Sequence, residues 1–133
     1  MSFRTLLIIK AIVCLVFGLF LLIAPVVLLK ILGAELNDGG AFTAREYGAA
    51  MIGTLLLTWF AKDVKANDAR GAILLDLLLY DLIGVVITVV AVISIVLNAL
   101  GWAIVIVYLF FTLGSAYLLI KEKPFKKKVT GET

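Results

Sequence analysis

The sequence predicts an all-α integral membrane protein, a bundle of four membrane-spanning helices with the N- and C-termini cytoplasmic. Three observations carry that expectation. Of the 133 residues, 64% are apolar and 16% charged, where a soluble domain averages about 45–50% and about 25%. The apolar residues fall in long runs, and a helix needs about 20 of them to cross a hydrocarbon core of about 30 Å. The basic residues gather at alternate run ends, the pattern that orients membrane helices.

Residues 11–29 carry no charge and lie between Lys10 and Lys30, so the first span is placed at about 6–32. A basic start before an apolar run also describes a secretory leader. Here the run is too long, Leu22 and Pro25 disturb a cleavage site at Ala24, and three more apolar segments follow. Pro25 removes one backbone bond in the last third of the helix and is expected to bend it. Lys30 followed by Gly33 reads as a helix end, and residues 34–40 (AELNDGG) as a turn-forming loop.

The second span is placed at 42–61. Residues 47–61 supply only 15 uncharged positions, about 22 Å of helix, so Arg45 and Glu46 belong at or inside the membrane boundary. Thr43 and Glu46 have capping-box spacing, with Thr43 as N-cap. Gly48, Ala49, Ala50, Gly53 and Thr54 form a small-residue patch suited to close helix packing in lipid, and Trp59 suits the opposite interface. The polar stretch 62–70 (KDVKANDAR) follows, with Asn67 and Asp68 fitting a helix start. Residues 82–120 are then uncharged, too many for one crossing. Asn98 to Gly101 (NALG) is the natural break, giving spans at about 73–97 and 102–120 joined as a tight helical hairpin. The tail 121–133 is polar and basic.

Placing the N-terminus, the 62–70 loop and the tail on one side puts ten basic residues there, Lys10 included, against Lys30 and Arg45 on the other. That bias sets both termini in the cytoplasm and opposes a dual-topology arrangement. In the tail, Lys121, Lys123, Lys126, Lys127 and Lys128 are candidates for anionic-lipid contact, beside their role in fixing topology.

The inventory excludes much chemistry. There is no His and a single Cys, Cys14, so imidazole metal sites, His-dependent catalytic pairs, a CxxC couple and an intrachain disulfide are ruled out. No glycine-rich nucleotide motif or GxSxG elbow occurs. The basic residues sit at segment ends rather than on a soluble face, which opposes nucleic-acid binding. Neither an enzyme, a cofactor nor a metal is expected.

Ionisable groups within apolar spans are the functional candidates, because each costs about 2.5–3.5 kcal/mol to insert. These are Arg45, Glu46, Asp76 and Asp81, with Tyr80 beside the aspartates. Asp81 shares a helical stripe with Gly84, Thr88 and Ala91, a face that can pack on a neighbouring helix. Asp76 and Tyr80 lie on another face, about 140° away. Each has a plainer explanation: Glu46 as a cap, Arg45 as a side chain snorkelling to the headgroups, Asp76 paired with Lys65, Arg70 or a tail lysine, and Asp81 brought to the interface by a tilted helix.

A short four-span chain whose second helix opens Arg45-Glu46-Tyr47-Gly48-Ala49-Ala50, with Gly53 and Trp59 following, resembles the small uncharacterised four-helix membrane proteins of prokaryotes, DoxX-like in layout. The resemblance implies a quinone-linked or accessory role, although this chain lacks any His or paired Cys. Small multidrug exporters differ more, since they carry a key Glu in the first span and here that span has no acid. The leading expectation is a non-enzymatic membrane protein acting through helix association, as a homo-oligomer or as an accessory subunit of a membrane complex. Two alternatives accompany it: a small-ion or solute transporter using Asp81 with Arg45 and Glu46, and a lipid or quinone binder.

Overall fold

A computed structural model describes residues 1–126. Its elements run α1 (Phe3–Ile23), α2 (Pro25–Ile31), α3 (Asp38–Ala61), α4 (Asn67–Ile93) and α5 (Gly101–Glu122), and no strand occurs among the described residues. Three of them, α1, α4 and α5, are long and apolar enough to cross a membrane, which marks the chain as a membrane protein. The fourth long helix, α3, carries Asp38, Arg45 and Glu46 in its first half and does not reach that apolarity.

Local chemistry sets the ends of these helices. Ser2 caps α1, its side chain accepting from the Thr5 N–H at 3.2 Å. Pro25 does more than bend the first segment. Ala24 leaves helical geometry (φ −137°, ψ 59°), so α1 stops and Pro25 opens a new helix, α2, at a position where its missing N–H costs nothing. Gly33 ends α2 with a φ of +88°. The Gly33 N–H donates to Lys30 O and the Ala34 N–H to Leu29 O, a Schellman closure that needs the left-handed residue.

The start of α3 corrects the expected capping box. Asn37 is the cap, accepting from the Gly40 N–H at 2.7 Å, so Asp38, Gly39 and Gly40 form the first helical turn instead of ending a loop. Thr43 lies inside the helix and donates to Gly39 O, and Glu46 is exposed on its surface. The first cap in the chain captured the helix, because Asn is as good a cap as Thr and an acidic residue follows it. The hairpin turn is also longer than expected. The helix α4 ends at Ile93, four residues short of Leu97, and residues 94–100 form the connection. Ile95 takes a left-handed φ of 62°, and the Val96 and Leu97 N–H groups fold back onto Ala91 O.

Asn98, placed at a helix break by the sequence, clasps two loops together. Its Nδ2 donates to Ile31 O at 2.8 Å, its backbone N–H to Leu32 O at 2.7 Å, and its Oδ1 accepts from the Leu100 N–H. One side chain thus satisfies the end of α2 and the approach to α5.

The long helices form two pairs. Along its length α1 packs on α3 and α4 packs on α5, with α2 lying against α1 and α3; between the pairs, the helix backbones approach only where α1 meets α5, and the loops meet at Asn98 and Leu32. Gly48 permits the first pairing. A Cβ there would stand 2.8 Å from Leu22 N and 2.9 Å from Gly18 O, both backbone atoms. The pairs are joined at the end that holds the N-terminus and the 62–66 turn, by a core of Phe3, Leu6, Leu7, Ala61, Leu74, Leu77, Phe111 and Leu118. There Arg70 grips Glu122 through two bonds, at 2.5 and 3.0 Å, donates to Val64 O, and lies 4.1 Å from the Phe3 ring centroid. A second core, Cys14, Leu21, Leu28 and Met51, belongs to the first pair alone.

This packing separates two glycines of α3. Gly48→Ala is expected to destabilise the protein by about 1–3 kcal/mol, since backbone must move. Gly53 has no atom within 4 Å of its would-be Cβ, and Gly53→Ala is expected to be neutral or stabilising by up to about 1 kcal/mol from helix propensity. Thermal unfolding of the purified protein in a mild detergent checks both.

Candidate binding site between the helix pairs

Beyond the joined base, the two pairs leave a space between them. It amounts to about 890 Å³, within the range of small-molecule sites. Its walls are largely apolar, among them Phe17, Leu21, Met51, Ile87, Ile104 and Val107, and it reaches from Lys10 and Asp81 at one end to Leu32, Leu36 and Leu97 at the clasped loops.

The end nearest the base is polar, and every long helix contributes to it. Lys10 comes from α1, Tyr47 from α3, Tyr80 and Asp81 from α4, and Tyr108 from α5. Lys10 Nζ donates to Asp81 Oδ1 at 2.5 Å, with the two side chains 4% and 0% exposed. The ammonium also lies 4.4 Å from the Phe111 ring centroid and 4.9 Å from that of Tyr80, so its remaining charge faces aromatic surfaces. Tyr47 occupies the middle of a chain of phenols, its hydroxyl bonding that of Tyr80 and, at 3.0 Å, that of Tyr108. Gly84 makes room for Tyr108, whose ring fills the place of a Cβ, and the Tyr80 and Tyr108 rings meet edge to face at 6.3 Å.

Two features of this centre are chemically open. Asp81 Oδ2 is buried and has no hydrogen-bond partner among the described residues. The three phenols carry three O–H hydrogens and share two contacts, so one hydrogen is left over in every arrangement. Ser115 Oγ, on α5, is the other buried side-chain oxygen without a partner among the described residues.

The structure gathers some of the expected residues and disperses others. Asp81 is buried against the first pair, with Thr88 buried and Gly84 and Ala91 half-buried on the same stripe. Its partner is Lys10, whose ammonium lies inside the bundle instead of flanking it. Neither Arg45 nor Glu46 reaches Asp81: both are exposed on α3, without an ion pair or side-chain hydrogen bond among the described residues. Asp76 is exposed too, and Arg70, one of its expected partners, is committed to Glu122. Tyr80 parts from Asp76 and joins Asp81, because the cavity is wide enough for adjacent residues on α4 to border it.

The small-residue patch divides as well. Gly48 faces α1, Thr54 is half-buried and donates to Ala50 O, and Ala49, Ala50 and Gly53 form an exposed face of α3. In the tail, Lys121, Lys123 and Lys126 are exposed and Lys121 Nζ lies 5.6 Å from the Tyr117 ring centroid. Lys127 and Lys128 lie outside the described residues.

Sequence reasoning missed Lys10, Tyr47 and Tyr108. A signal for Lys10 was present: the four residues before it, Leu6 to Ile9, and all those after it up to Lys30 are uncharged, the four before it all apolar, and an aspartate in another apolar span needs a counter-charge. Nothing comparable marked the tyrosines, which read as ordinary aromatic residues of helices. No protein-family model matches this chain, and comparison with curated proteins and with solved structures finds no match.

The paired charges make a clear expectation. Lys10→Met or Asp81→Leu alone should cost about 3–5 kcal/mol, each leaving an uncompensated buried charge. The double substitution should cost less than either one. A double-mutant cycle from denaturant unfolding in detergent checks this, and additive losses would show the two groups to be independent.

Proposed function

We propose that this chain crosses the membrane four times, with both termini cytoplasmic, and binds a lipophilic molecule between its two helix pairs. The observation that carries the reading is the cavity of about 890 Å³ with apolar walls and one polar end built from all four long helices. An apolar wall offers a hydrocarbon body no penalty, and a few convergent polar groups fix a head and give orientation. The function is non-enzymatic, since the polar end combines an ion pair already satisfied on one oxygen with neutral phenols.

The fourth crossing is α3. Its 24 residues span about 36 Å of helix, longer than the apolar stretch alone suggested, and it pairs with α1 throughout. Withdrawing Lys10 into the bundle leaves nine basic residues on the side of the termini against two on the other, so the orientation argument stands. Cysteines introduced at Asn67 and at Glu35 test it, since the lone natural thiol, Cys14, is buried. An impermeant maleimide added outside intact cells should label position 35 and spare position 67; the reverse pattern would reject the topology.

Helix association remains a second reading on a specific observation, the exposed Ala49, Ala50 and Gly53 face of α3, where another helix backbone could come close. The two readings separate on one variant. Ala44 lies on the cavity wall, and Ala44→Trp should fill part of the space. Organic extracts of the purified protein should contain one lipophilic species enriched over bulk membrane lipid, depleted severalfold in Ala44→Trp, with the oligomeric state in native mass spectrometry unchanged. Bulk lipid alone in both extracts would count against binding.

A further inference from the structure

The polar end of the cavity has one donor too many and one acceptor unfilled. We infer that its occupant is a neutral lipophile with a hydroxyl head, which accepts the surplus phenolic hydrogen and donates to the carboxylate of Asp81. This rests on the binding reading above and names the chemistry of its head group.

The inference follows from counting hydrogens and charges. Tyr80, Tyr47 and Tyr108 hold three O–H groups and make two mutual contacts. One hydrogen therefore points away from the chain, and all three tyrosines border the cavity. Asp81 borders the same cavity, and Oδ2 has no donor among the described residues although Oδ1 holds Lys10. A buried oxygen left so costs about 1–3 kcal/mol or more for a charged group. A group that supplies one acceptor and one donor from a single atom is a hydroxyl. A ketone or ether fills the first need and leaves Asp81 unpaired. A hydrocarbon fills neither.

Charge narrows the class further. Lys10 and Asp81 cancel, and among the described residues no other charged side chain borders the space. An anionic head, such as a phosphate or a carboxylate, would meet Asp81 with no cation left to balance it, since the ammonium is engaged by Oδ1 and by the faces of Phe111 and Tyr80. The apolar walls between Lys10 and the clasped loops then take the hydrocarbon body. Long-chain alcohols, sterols and diacylglycerols share this chemistry, a single neutral hydroxyl on a lipophilic frame.

The test uses the full-length protein in detergent micelles, labelled with a photoreactive hexadecanol and competed with three unlabelled compounds of equal chain length: hexadecanol, its methyl ether and hexadecyl phosphate. Crosslinks are mapped by mass spectrometry. Labelling is expected on cavity residues such as Phe17, Met51 and Val107, and hexadecanol should compete at least tenfold better than either the ether or the phosphate. The Lys10→Met/Asp81→Leu double variant, which removes the open acceptor together with its counter-charge, should reduce the preference for hexadecanol over the ether severalfold while leaving labelling of the same residues. Equal competition by the ether would overturn the inference, with water filling the open position, and leave the binding reading standing. Better competition by the phosphate would also overturn it. An absence of crosslinks on cavity residues would remove the binding reading itself.

Discussion

Lys10 and Asp81 are buried side chains, 4% and 0% exposed, with the Phe111 and Tyr80 rings beside the ammonium. A lone charge inserted there costs about 2.5–3.5 kcal/mol, so each holds the other in place, and with them the helices that carry them. Among the described residues they are the one ion pair between the first helix pair and the second that is shut from solvent. The backbones of α1 and α4 do not otherwise come close. A long lysine side chain therefore bridges a distance that direct helix packing leaves open, and the cavity is what remains of that distance on the side of the clasped loops.

The molecule consequently has two unlike halves. Towards the termini, Phe3, Leu6, Leu7, Leu74, Leu77, Phe111 and Leu118 are almost wholly buried and knit the pairs into one core. Towards the 94–100 connection, only the first pair has a core of its own, and Asn98 supplies the link to the second. The break at Ala24 fits this division. It lets α2 turn off the axis of α1 and carry Leu28, Leu29 and Leu32 to the cavity wall. A proline in mid-helix usually forfeits a bond and clashes with the preceding turn; here the clash is resolved by ending the helix, and the new direction is used to close the space.

Which of these features were legible in the sequence follows from the range over which each is determined. Composition and run length announced a helical membrane protein, because burying backbone in lipid leaves few alternatives. The end of α2 was legible at Gly33, since a left-handed residue after a cationic last turn is a local signal. The start of α3 was misplaced because two caps competed within seven residues, and Asn37 lies upstream of Thr43. The burial of Asp81 was an open question that the sequence could pose but not answer. Its solution depends on Lys10, 71 positions away, and pairings at that separation leave no periodic trace. The phenol chain was invisible for the same reason, as its three members sit on three different helices.

The same geometry bears on whether the polar end serves passage or residence. A conduit would need polar groups or space continuing past Lys10 and Asp81 to the far surface. On that side stand Leu6, Leu7, Leu74, Leu77, Phe111 and Leu118, each 0–1% exposed; of the buried hydroxyls on α3 and α5 there, Thr58 and Thr112 donate to carbonyls of their own helices, and Ser115 is the one without a partner among the described residues. An ion moving through would be stripped of water against hydrocarbon, at a cost that one unpartnered serine hydroxyl cannot offset. Nor do Arg45 and Glu46, exposed on α3, extend the polar centre in either direction. Arg70 and Glu122 bind each other beyond this layer, which closes the base a second time. A cavity shut at one end by a packed core, polar at its floor and apolar along its walls, has the geometry that the proposed binding of a lipophile requires and lacks the through-path that a conduit requires.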